Sequence, residues 1–181
     1  IQFKEYAILI YHPVTTDLKN LSMKTNILFK AIEQSKLNYL IIYPNNDPGS
    51  ELIIKLINKY FKKKRNYKIL RSMRFEYFLR VLKDSSFIIG NSSAGIREAP
   101  FFGIQTIDIG DRQYSRAKLK SVVNSNFNKK KILNLIKLNK NNKFKKILHF
   151  GDGKSANKIV KILKKNFFWQ TPIQKKFKSI D

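Results

Sequence analysis

The amino-acid sequence predicts an α/β fold, a Rossmann-like domain built on a doubly wound parallel sheet. Short runs rich in β-branched and aromatic residues alternate with segments whose apolar residues recur every three or four positions, the spacing of an amphipathic helix. The short runs are apolar at nearly every position, which is typical of strands that helices cover on both faces. These two patterns together indicate repeated strand–helix–strand units.

Six runs are strand candidates. In chain order they are Tyr6–Tyr11, Tyr39–Tyr43, Tyr67–Leu70, Phe87–Gly90, Thr106–Ile109 and the less regular Ser121–Val123. We expect the first, second and fourth of them at the centre of the sheet. The predicted helices are Leu21–Gln34, Ser50–Phe61, Arg74–Lys83, Lys129–Leu138 and Ser155–Lys165. In the first helix, Ile27, Leu28, Ala31 and Ile32 share one face, which we expect to cover the sheet.

The composition is that of a globular protein of one domain. The chain has 181 residues, of which 43% are apolar, and no apolar run is long enough to span a bilayer. It contains no cysteine, which excludes disulfides and thiolate metal sites. The opening IQFKEYAILIY has no basic region before a long apolar one, so we expect no signal peptide and a cytoplasmic location. Because no initiator methionine precedes the first strand-like run, we also expect the N-terminal part of a longer protein to be missing.

The net charge of +25 would suit a nucleic-acid partner. The basic residues are nevertheless spread along the whole chain, with clusters at 61–65, 128–131 and 139–146, and no aromatic-interleaved RNA-binding pattern accompanies them. Lys, Asn, Ile and Phe are abundant together, as they are in proteins from AT-rich genomes. We therefore predict no nucleic-acid partner and no membrane partner. A basic nucleic-acid-binding module stays the non-enzymatic alternative.

In open parallel sheets, ligands bind outside the carboxyl ends of the strands, so the residues that follow each strand form the candidate site. Four loops qualify: HPVTTD at 12–17, PNNDPGS at 44–50, NSSAGIRE at 91–98 and GDRQYSR at 110–116. They include the clearest polar loops of the chain and one of its two histidines.

The loop NSSAGIRE suits an anion followed by a sugar. Asn91 or Ser92 is a natural N-cap, and Gly95 would let a ligand approach the helix start, where free N–H groups and the helix dipole attract phosphate. Glu98, two turns further on, would repel phosphate but could accept two hydrogen bonds from a ribose diol. The pattern thus fits a nucleoside diphosphate lying across the helix start. It fits equally a capped helix in which Glu98 pairs with Arg97 or another base.

His12 and Arg112 also allow two interpretations. At the end of the first strand, His12 could act on a ligand as an acid, a base or a phosphate donor, or it could be a loop residue with a satisfied hydrogen bond. Arg112 could neutralise a diphosphate or be a solvated loop arginine. We interpret His149, before the GDG turn, as structural. The sequence has no Walker loop, no GxGxxG motif, no Ser-His-Asp order and no metal-ligand cluster.

Taken together, these loops resemble the UDP-N-acetylglucosamine 2-epimerase family, and in particular its hydrolysing branch. The resemblance covers nearly the whole chain: to the first two loops it adds IGNSSAGIREAPFFG at 89–103, IGDRQYSR at 109–116, GDG at 151–153 and QKKF at 174–177. Non-hydrolysing relatives carry a His-Arg-Arg-Glu stretch in place of HPVTT and a Ser-Gly-Gly run in place of NSSAG.

The resemblance implies one half of a glycosyltransferase-B-type fold, in which two Rossmann-like domains face a cleft. Residues 1–166 then correspond to the C-terminal, UDP-binding domain, and residues 167–181 to an aromatic tail that docks on the absent N-terminal domain. Glu98 is implied at the ribose, the two serines at the diphosphate, and the backbone near Met73 at uracil. The residues implied at the UDP site are His12, Asn45, Met73, Ser92, Ser93, Glu98 and Arg112.

The reaction that the resemblance implies begins with loss of the C2 proton and anti elimination of UDP, which gives a 2-acetamidoglucal. Water then adds with the opposite configuration at C2 and releases N-acetylmannosamine for sialic-acid-type biosynthesis. We assign His12, after the first strand, a catalytic role at the departing UDP oxygen. No metal or other cofactor is implied, the partner is a UDP-sugar substrate, and the full-length enzyme is expected to be a homo-oligomer. UDP-N,N′-diacetylbacillosamine, for legionaminic acid synthesis, is the alternative substrate.

Two features depart from the family pattern. The carboxylates that handle the C2 proton belong to the family's N-terminal domain, and no loop here supplies such a pair, so we expect the chain alone to bind UDP weakly and not to catalyse. Glu51 and Ile54 occupy part of the stretch through which the animal enzyme senses cytidine-monophosphate sialic acid, so we do not expect this feedback inhibition. A glycosyltransferase of the same fold would use Glu98 similarly but would not explain HPVTTD together with GDRQYSR.

Overall fold

The computed structural model describes residues 2–140 and 142–174, which form a parallel sheet, the helices around it and a helical C-terminal segment. The strands are β1 (Ala7–Ile10), β2 (Tyr39–Ile42), β3 (Tyr67–Leu70), β4 (Phe87–Gly90), β5 (Gln105–Ile109) and β6 (Val122–Ser125). The helices are α1 (Leu21–Ser35), α2 (Ser50–Phe61), α3 (Phe75–Asp84), α4 (Ala94–Arg97), α5 (Lys129–Asn139), α6 (Ser155–Leu163) and α7 (Asn166–Trp169). Short 3₁₀ helices occur at Thr15–Asn20 and Ala99–Phe102.

The strands lie in the order β3-β2-β1-β4-β5-β6, and each neighbouring pair is parallel. The order reverses between β1 and β4, because the chain first adds strands on one side of β1 and then crosses to the other side. This is the doubly wound order of Rossmann folds. The predicted fold class is confirmed, and β1, β2 and β4 lie in the interior of the sheet as expected.

Alternate residues of the strands pack on opposite faces of the sheet. In β1, Leu9 belongs to a core covered by α1, α2 and α5, whereas Ile8 belongs to a second core covered by α3 and the 3₁₀ helix after α4. Both side chains are fully buried. Because helices cover both faces, the strands are apolar at nearly every position, which is the pattern from which the fold was predicted.

Several elements end one or two residues away from their predicted ends. β1 is shorter than predicted because its neighbour β2 offers four residues in register, so Tyr6 and Tyr11 lie outside the ladder although both are buried. β6 is shifted toward Ser125, since its four residues pair with Thr106–Ile109 of β5. The partner strand, rather than the local sequence, decides where a strand ends.

The chain divides into two compact units, Ile1–Ile147 and Leu148–Asp181. The first unit holds the sheet and α1 to α5. The second holds α6 and α7, whose apolar side chains are largely exposed. Within the described ranges, no helix is both long enough and apolar enough to cross a membrane.

The predicted division into a UDP-binding part, 1–166, and a docking tail, 167–181, stays a prediction. Residues 175–181 of that tail lie outside the described residues, and so do the last three residues of the QKKF motif.

Candidate functional site

A cavity of about 310 Å³ lies at the carboxyl ends of β1, β2 and β4, at the point where the strand order reverses. We call it the carboxyl-edge cavity. Its lining residues are Ile10, His12, Ile42, Tyr43, Asn45, Met73, Phe75, Phe78, Ser92, Ser93, Ala94 and Glu98. Loops diverge at such a reversal and leave a crevice in which ligands of open parallel sheets bind. Of the seven predicted site residues, all but Arg112 line the cavity.

His12 lies shortly after β1 and is buried, with 6% of its surface exposed. Its Nδ1 accepts a hydrogen bond of 3.2 Å from the backbone N–H of Asn45. A ring nitrogen that accepts carries no proton, so the proton of the neutral imidazole is on Nε2. Burial and the positive charge of Arg112 lower the pKa of His12 from 6.5 to about 4, against a smaller opposing effect of Asp47. At neutral pH, His12 is therefore an uncharged group with Nε2–H to donate.

Asn91 joins the loops that follow β1, β4 and β5. It is fully buried, and its side-chain amide makes two bonds to the backbone of His12: Oδ1 accepts from the N–H at 2.7 Å, and Nδ2 donates to the carbonyl at 2.9 Å. The Asn91 carbonyl accepts from Arg112 Nη1 at 3.1 Å and from Gln113 Nε2 at 2.8 Å. Asn91 was one of two predicted N-caps of the next helix. That prediction is wrong, because its side chain is bonded to His12 instead.

Gly90 allows β4 to come this close to β1. Its φ is +134°, and a Cβ at this position would lie 1.9 Å from the carbonyl oxygen of Ile10. No side chain fits into that space. The close approach brings the N–H of Asn91 to 3.2 Å from the same oxygen, and it places the Asn91 amide opposite the backbone of His12.

The helix α4 is a single turn of four residues, and its N-cap position is held by Ser93, not by the other predicted candidate Ser92, without a side-chain cap bond. Ser92 satisfies one amide of this turn, since its Oγ accepts a bond of 3.3 Å from the N–H of Ala94. Within the described residues, the backbone N–H groups of Ser92 and Ser93 have no protein acceptor. So short a helix has a weak dipole, and it is these individual donors that suit the cavity to an anion.

Gly95 serves packing rather than ligand approach. A Cβ at this position would lie 2.6 Å from Cγ2 of Thr106 on β5, and the hydroxyl of Thr106 donates to the Gly95 carbonyl at 2.6 Å. The prediction that Gly95 lets a ligand approach the helix start is therefore wrong, because the residue faces the neighbouring strand.

Glu98 follows α4 and is half-buried in the wall of the carboxyl-edge cavity. Among the described residues, no side chain forms an ion pair or a hydrogen bond with its carboxylate. Burial raises the pKa of Glu98, and the nearby positive charge of Arg97 offsets this only in part. A half-buried carboxylate that forms no salt bridge is unfavourable for the fold alone, since the charge of Arg97 and a bond to its own backbone offset the lost hydration only in part. The structural interpretation therefore rests on the electrostatic effect of Arg97 alone, because no ion pair or side-chain hydrogen bond to Glu98 accompanies it in the described part of the chain.

Of the remaining predicted residues, two line the cavity and one is bonded to Asn91 outside it. Asn45 is exposed at the cavity, and its backbone carbonyl accepts a hydrogen bond from the hydroxyl of Ser50. Met73 is half-buried in the cavity wall. Arg112 does not line the cavity but is bonded to the carbonyl of Asn91 behind it.

Sequence reasoning did not place Phe75, Phe78 or Gln113 in this region. Phe75, which is 58% exposed, and Phe78 extend the apolar wall around Met73. The signal for both was their position in the first turn of α3, directly after the loop that follows β3. Gln113 supports Asn91 from 22 residues away, a contact that leaves no local pattern.

A sequence profile described as UDP-N-acetylglucosamine 2-epimerase matches residues 1–164. The chain belongs to the UDP-N-acetylglucosamine 2-epimerase family. The resemblance of the loops to this family is thereby confirmed. Within the described ranges, no group of three or more His, Cys, Asp or Glu side chains is arranged to hold a metal ion.

Two curated members of the 2-epimerase family show how much of the enzyme the chain represents. The UDP-N-acetylglucosamine 2-epimerase of Neisseria meningitidis serogroup B is 43% identical over 136 residues, which are 75% of this chain and 36% of that protein. The UDP-N,N′-diacetylbacillosamine 2-epimerase (hydrolyzing) of Legionella pneumophila is 29% identical over 163 residues, 89% of this chain and 43% of that protein. The chain thus spans less than half of the length of these two relatives.

A solved structure of the 2-epimerase family agrees with this fold. The UDP-GlcNAc 2-epimerase of Methanocaldococcus jannaschii, in complex with UDP-GlcNAc and UDP, superposes with a TM-score of 0.68 at 21% identity, over 88% of this chain and 45% of that chain. The chain therefore has the fold of one half of a glycosyltransferase-B-type two-domain protein, as predicted.

Proposed function

We propose that the chain is the UDP-binding half of a hydrolysing UDP-N-acetylglucosamine 2-epimerase. The observation that carries the proposal is the half-buried carboxylate of Glu98, which forms no ion pair within the described residues and shares one cavity with the free amides of Ser92 and Ser93. A ligand for this cavity must bring hydrogen-bond donors to the carboxylate and negative charge to the amides. A nucleoside diphosphate has both, because its ribose diol adjoins its diphosphate.

In the proposed complex, the ribose hydroxyls donate to Glu98, and the diphosphate accepts from the N–H groups and hydroxyls of Ser92 and Ser93. The uracil ring lies against the wall formed by Met73 and Phe75. A planar base suits this wall because aromatic rings and thioethers make favourable contacts with the flat face of a ring. The cavity volume of about 310 Å³ lies at the small end of the range for such ligands.

The reaction proposed for the complete enzyme is an elimination followed by a hydration. A base removes the C2 proton, the C1–O bond breaks, and its electron pair leaves on the UDP oxygen while a C1=C2 double bond forms. Water then supplies a hydroxyl to C1 and a proton to the opposite face of C2, so that the free 2-epimeric sugar is released. In this half of the enzyme, the donors around the diphosphate stabilise the negative charge that grows on the leaving oxygen. We expect the base for C2 in the other half.

His12 is proposed to donate to that leaving oxygen. In the chain alone, the ring is neutral with its proton on Nε2, which makes it a hydrogen-bond donor. A bound diphosphate would bring negative charge to the ring, and an opposite charge nearby raises the pKa of an imidazole. The same ring would then also be able to transfer a proton as the UDP oxygen departs.

The choice of reaction and sugar is supported by sequence alone. The loops HPVTTD and NSSAG favour the hydrolysing branch, and the name of the Legionella relative specifies hydrolysis. We place UDP-N-acetylglucosamine first because the Neisseria relative, which is named for it, is the more similar of the two, at 43% against 29% identity. UDP-N,N′-diacetylbacillosamine is the second candidate. Use of the product in sialic-acid-type biosynthesis and assembly into a homo-oligomer stay predictions.

The experiment that tests this function is calorimetric titration of the chain with UDP. The unchanged chain should bind UDP more tightly than CMP or AMP. Glu98→Ala should lose about 1.5–3 kcal/mol of binding free energy, which is roughly a 10- to 150-fold weaker affinity, because hydrogen bonds to a charged group are removed. Glu98→Gln, which keeps the size of the side chain and one acceptor, should lose less.

Glu5→Ala is the matched control, since Glu5 is an exposed carboxylate beside the opposite end of the sheet. It should leave the UDP affinity unchanged. If Glu98→Ala binds UDP as tightly as the unchanged chain, Glu98 is a structural residue and the proposed binding mode is wrong.

A further inference from the structure

Asn91 forms hydrogen bonds through its side-chain amide, its backbone N–H and its carbonyl, more than an N-cap residue would need. Its side-chain amide is aligned with the backbone of His12, donor to carbonyl at 2.9 Å and acceptor to N–H at 2.7 Å. Its own N–H donates to Ile10 at 3.2 Å. A primary amide carries the same donor and acceptor as a peptide group. Asn91 therefore continues the pairing of β4 with β1 beyond Gly90, where the main-chain ladder stops.

The pair of bonds to His12 requires asparagine. An aspartate of the same size would keep the acceptor but would set a second oxygen against the carbonyl of His12. Serine and alanine would leave one or both backbone groups of His12 buried without a partner, which destabilises the loop. Leucine would fill the volume and satisfy neither group.

The position of the His12 backbone determines the state of its ring. His12 Nδ1 accepts a hydrogen bond from the N–H of Asn45 in the loop after β2. This bond forms only while Asn91 holds the backbone of His12 in its present position. Arg112 and Gln113 anchor the carbonyl of Asn91 from the loop after β5. We propose that Asn91 is a positioning residue: it fixes the backbone of His12 so that the imidazole keeps its proton on Nε2, the nitrogen left for the ligand. This inference rests on the proposed function for its catalytic meaning.

A purely structural asparagine would stabilise the fold without affecting the His12 ring. The tautomer and the titration of that ring therefore distinguish the two roles. Both can be measured without a ligand by long-range ¹H–¹⁵N correlation spectra of the labelled chain, which contains two histidines. The second, His149, is exposed and belongs to the other compact unit, so it is an internal reference in each spectrum.

In the unchanged chain, we expect His12 in a single Nε2–H tautomer at neutral pH, with a protonation midpoint below 6.5. In Asn91→Ala, the freed backbone should let the ring move and water reach it, so signals of both tautomers should appear. The midpoint should rise by about one pH unit or more, because less of the burial that lowers it remains. The His149 signals should not change. UDP affinity, measured in parallel, should fall about tenfold, as for the loss of one ordered contact.

The matched control is Asn139→Ala, which removes a different buried asparagine whose Nδ2 donates to Leu135 within α5. It should lower the melting temperature and leave the His12 signals in place. If Asn91→Ala does not fold, Asn91→Asp tests the same point, because it keeps the volume and the acceptor while losing the donor. If neither folds, Gln113→Ala, which removes one support of Asn91, should move the His12 signals in the same direction by less.

An unchanged His12 tautomer and midpoint in the folded variant would overturn the positioning role, and so would the absence of a single Nε2–H tautomer in the unchanged chain. These outcomes are independent of UDP. If the His12 signals respond as expected but no variant and not even the unchanged chain binds UDP, the proposed function fails while the positioning of His12 stands.

Discussion

The two ends of the sheet carry cavities of nearly equal volume, yet they differ in chemistry. The carboxyl-edge cavity measures about 310 Å³. The cavity at the amino ends of the strands, which we call the amino-edge cavity, measures about 280 Å³. Its lining residues are Glu5, Tyr6, Ala7, Lys36, Leu37, Asn38, Ser86, Phe87 and Lys140. By volume alone, either cavity could hold a ligand of the same size.

At the amino edge, the charged side chains of Glu5, Lys36 and Lys140 are exposed to water, and two of the less exposed polar groups are bonded within the protein. The amide of Asn38 donates to the carbonyl of Glu5 at 3.0 Å, and the hydroxyl of Tyr6 donates to the carbonyl of Val81 at 2.7 Å. At the carboxyl edge, by contrast, Glu98 is half-buried and forms no ion pair or hydrogen bond with another side chain of the described residues. The comparison teaches that a partly buried carboxylate without a salt bridge in the described ranges, rather than volume, distinguishes the candidate binding end of this sheet.

The largest difference between the two ends should appear in turnover. In the enzyme completed by its N-terminal half, His12→Ala should reduce turnover about a hundredfold or more, as expected for loss of a group that donates to the leaving oxygen. UDP affinity should fall much less, because Ser92 and Ser93 still hold the diphosphate. Steady-state kinetics with UDP-N-acetylglucosamine, together with UDP titration of the same variant, separate the two effects.

Asn45→Ala is the comparison within the same cavity. It should weaken binding without the additional effect on turnover, because its side chain is exposed at the cavity and its backbone N–H to His12 remains. At the amino edge, Lys36→Ala should change neither quantity. An equal loss of affinity and turnover in His12→Ala would reduce His12 to a binding residue.

A smaller effect should appear in the response of stability to acid. The pKa of His12 is lowered to about 4 in the folded chain against 6.5 in the unfolded one, so the unfolded state binds more protons between these values. Its contribution to stability is therefore lost as the pH falls through this range, by about 1.5 kcal/mol between pH 6.5 and 5. His12→Gln should remove this component. Denaturant unfolding of both chains at several pH values measures the difference.

Asp108, at the end of β5, provides a control of opposite sign. Burial raises its pKa to about 6, although a hydrogen bond from Asn124 opposes the change. The folded state then holds the proton more strongly, so Asp108 contributes more stability as the pH falls. Asp108→Asn should therefore steepen the loss of stability in acid.

Burial raises the pKa of Tyr6 at the amino edge to about 12, and Tyr6→Phe should leave the acid response unchanged. The same acid response in all these variants would contradict the assignment.

The fold was predictable from the sequence because it depends on local periodicity. The runs Tyr67–Leu70 and Phe87–Gly90 became strands with the predicted ends. The error at β6 arose because its ends are set by pairing with β5, which no local pattern reveals. The single turn α4 and the 3₁₀ helices were too short to produce a periodic signal.

The site was predictable in part, because parallel strands bring the loops at their carboxyl ends together. This rule alone placed His12, Asn45 and Glu98 near one another, and they do line one cavity. It could not show that Asn91 bonds to His12, 79 residues away, or that Gly95 packs on β5. Such contacts depend on side-chain geometry between distant segments, and an N-cap pattern in the local sequence gives a misleading answer.

The most direct test of the account is a crystal structure of the chain grown with UDP. We expect UDP in the carboxyl-edge cavity, with ribose hydroxyls about 3 Å from the carboxylate of Glu98 and diphosphate oxygens about 3 Å from the backbone nitrogens of Ser92 and Ser93. UDP bound in the amino-edge cavity, or bound in the carboxyl-edge cavity with its ribose away from Glu98, would contradict the account.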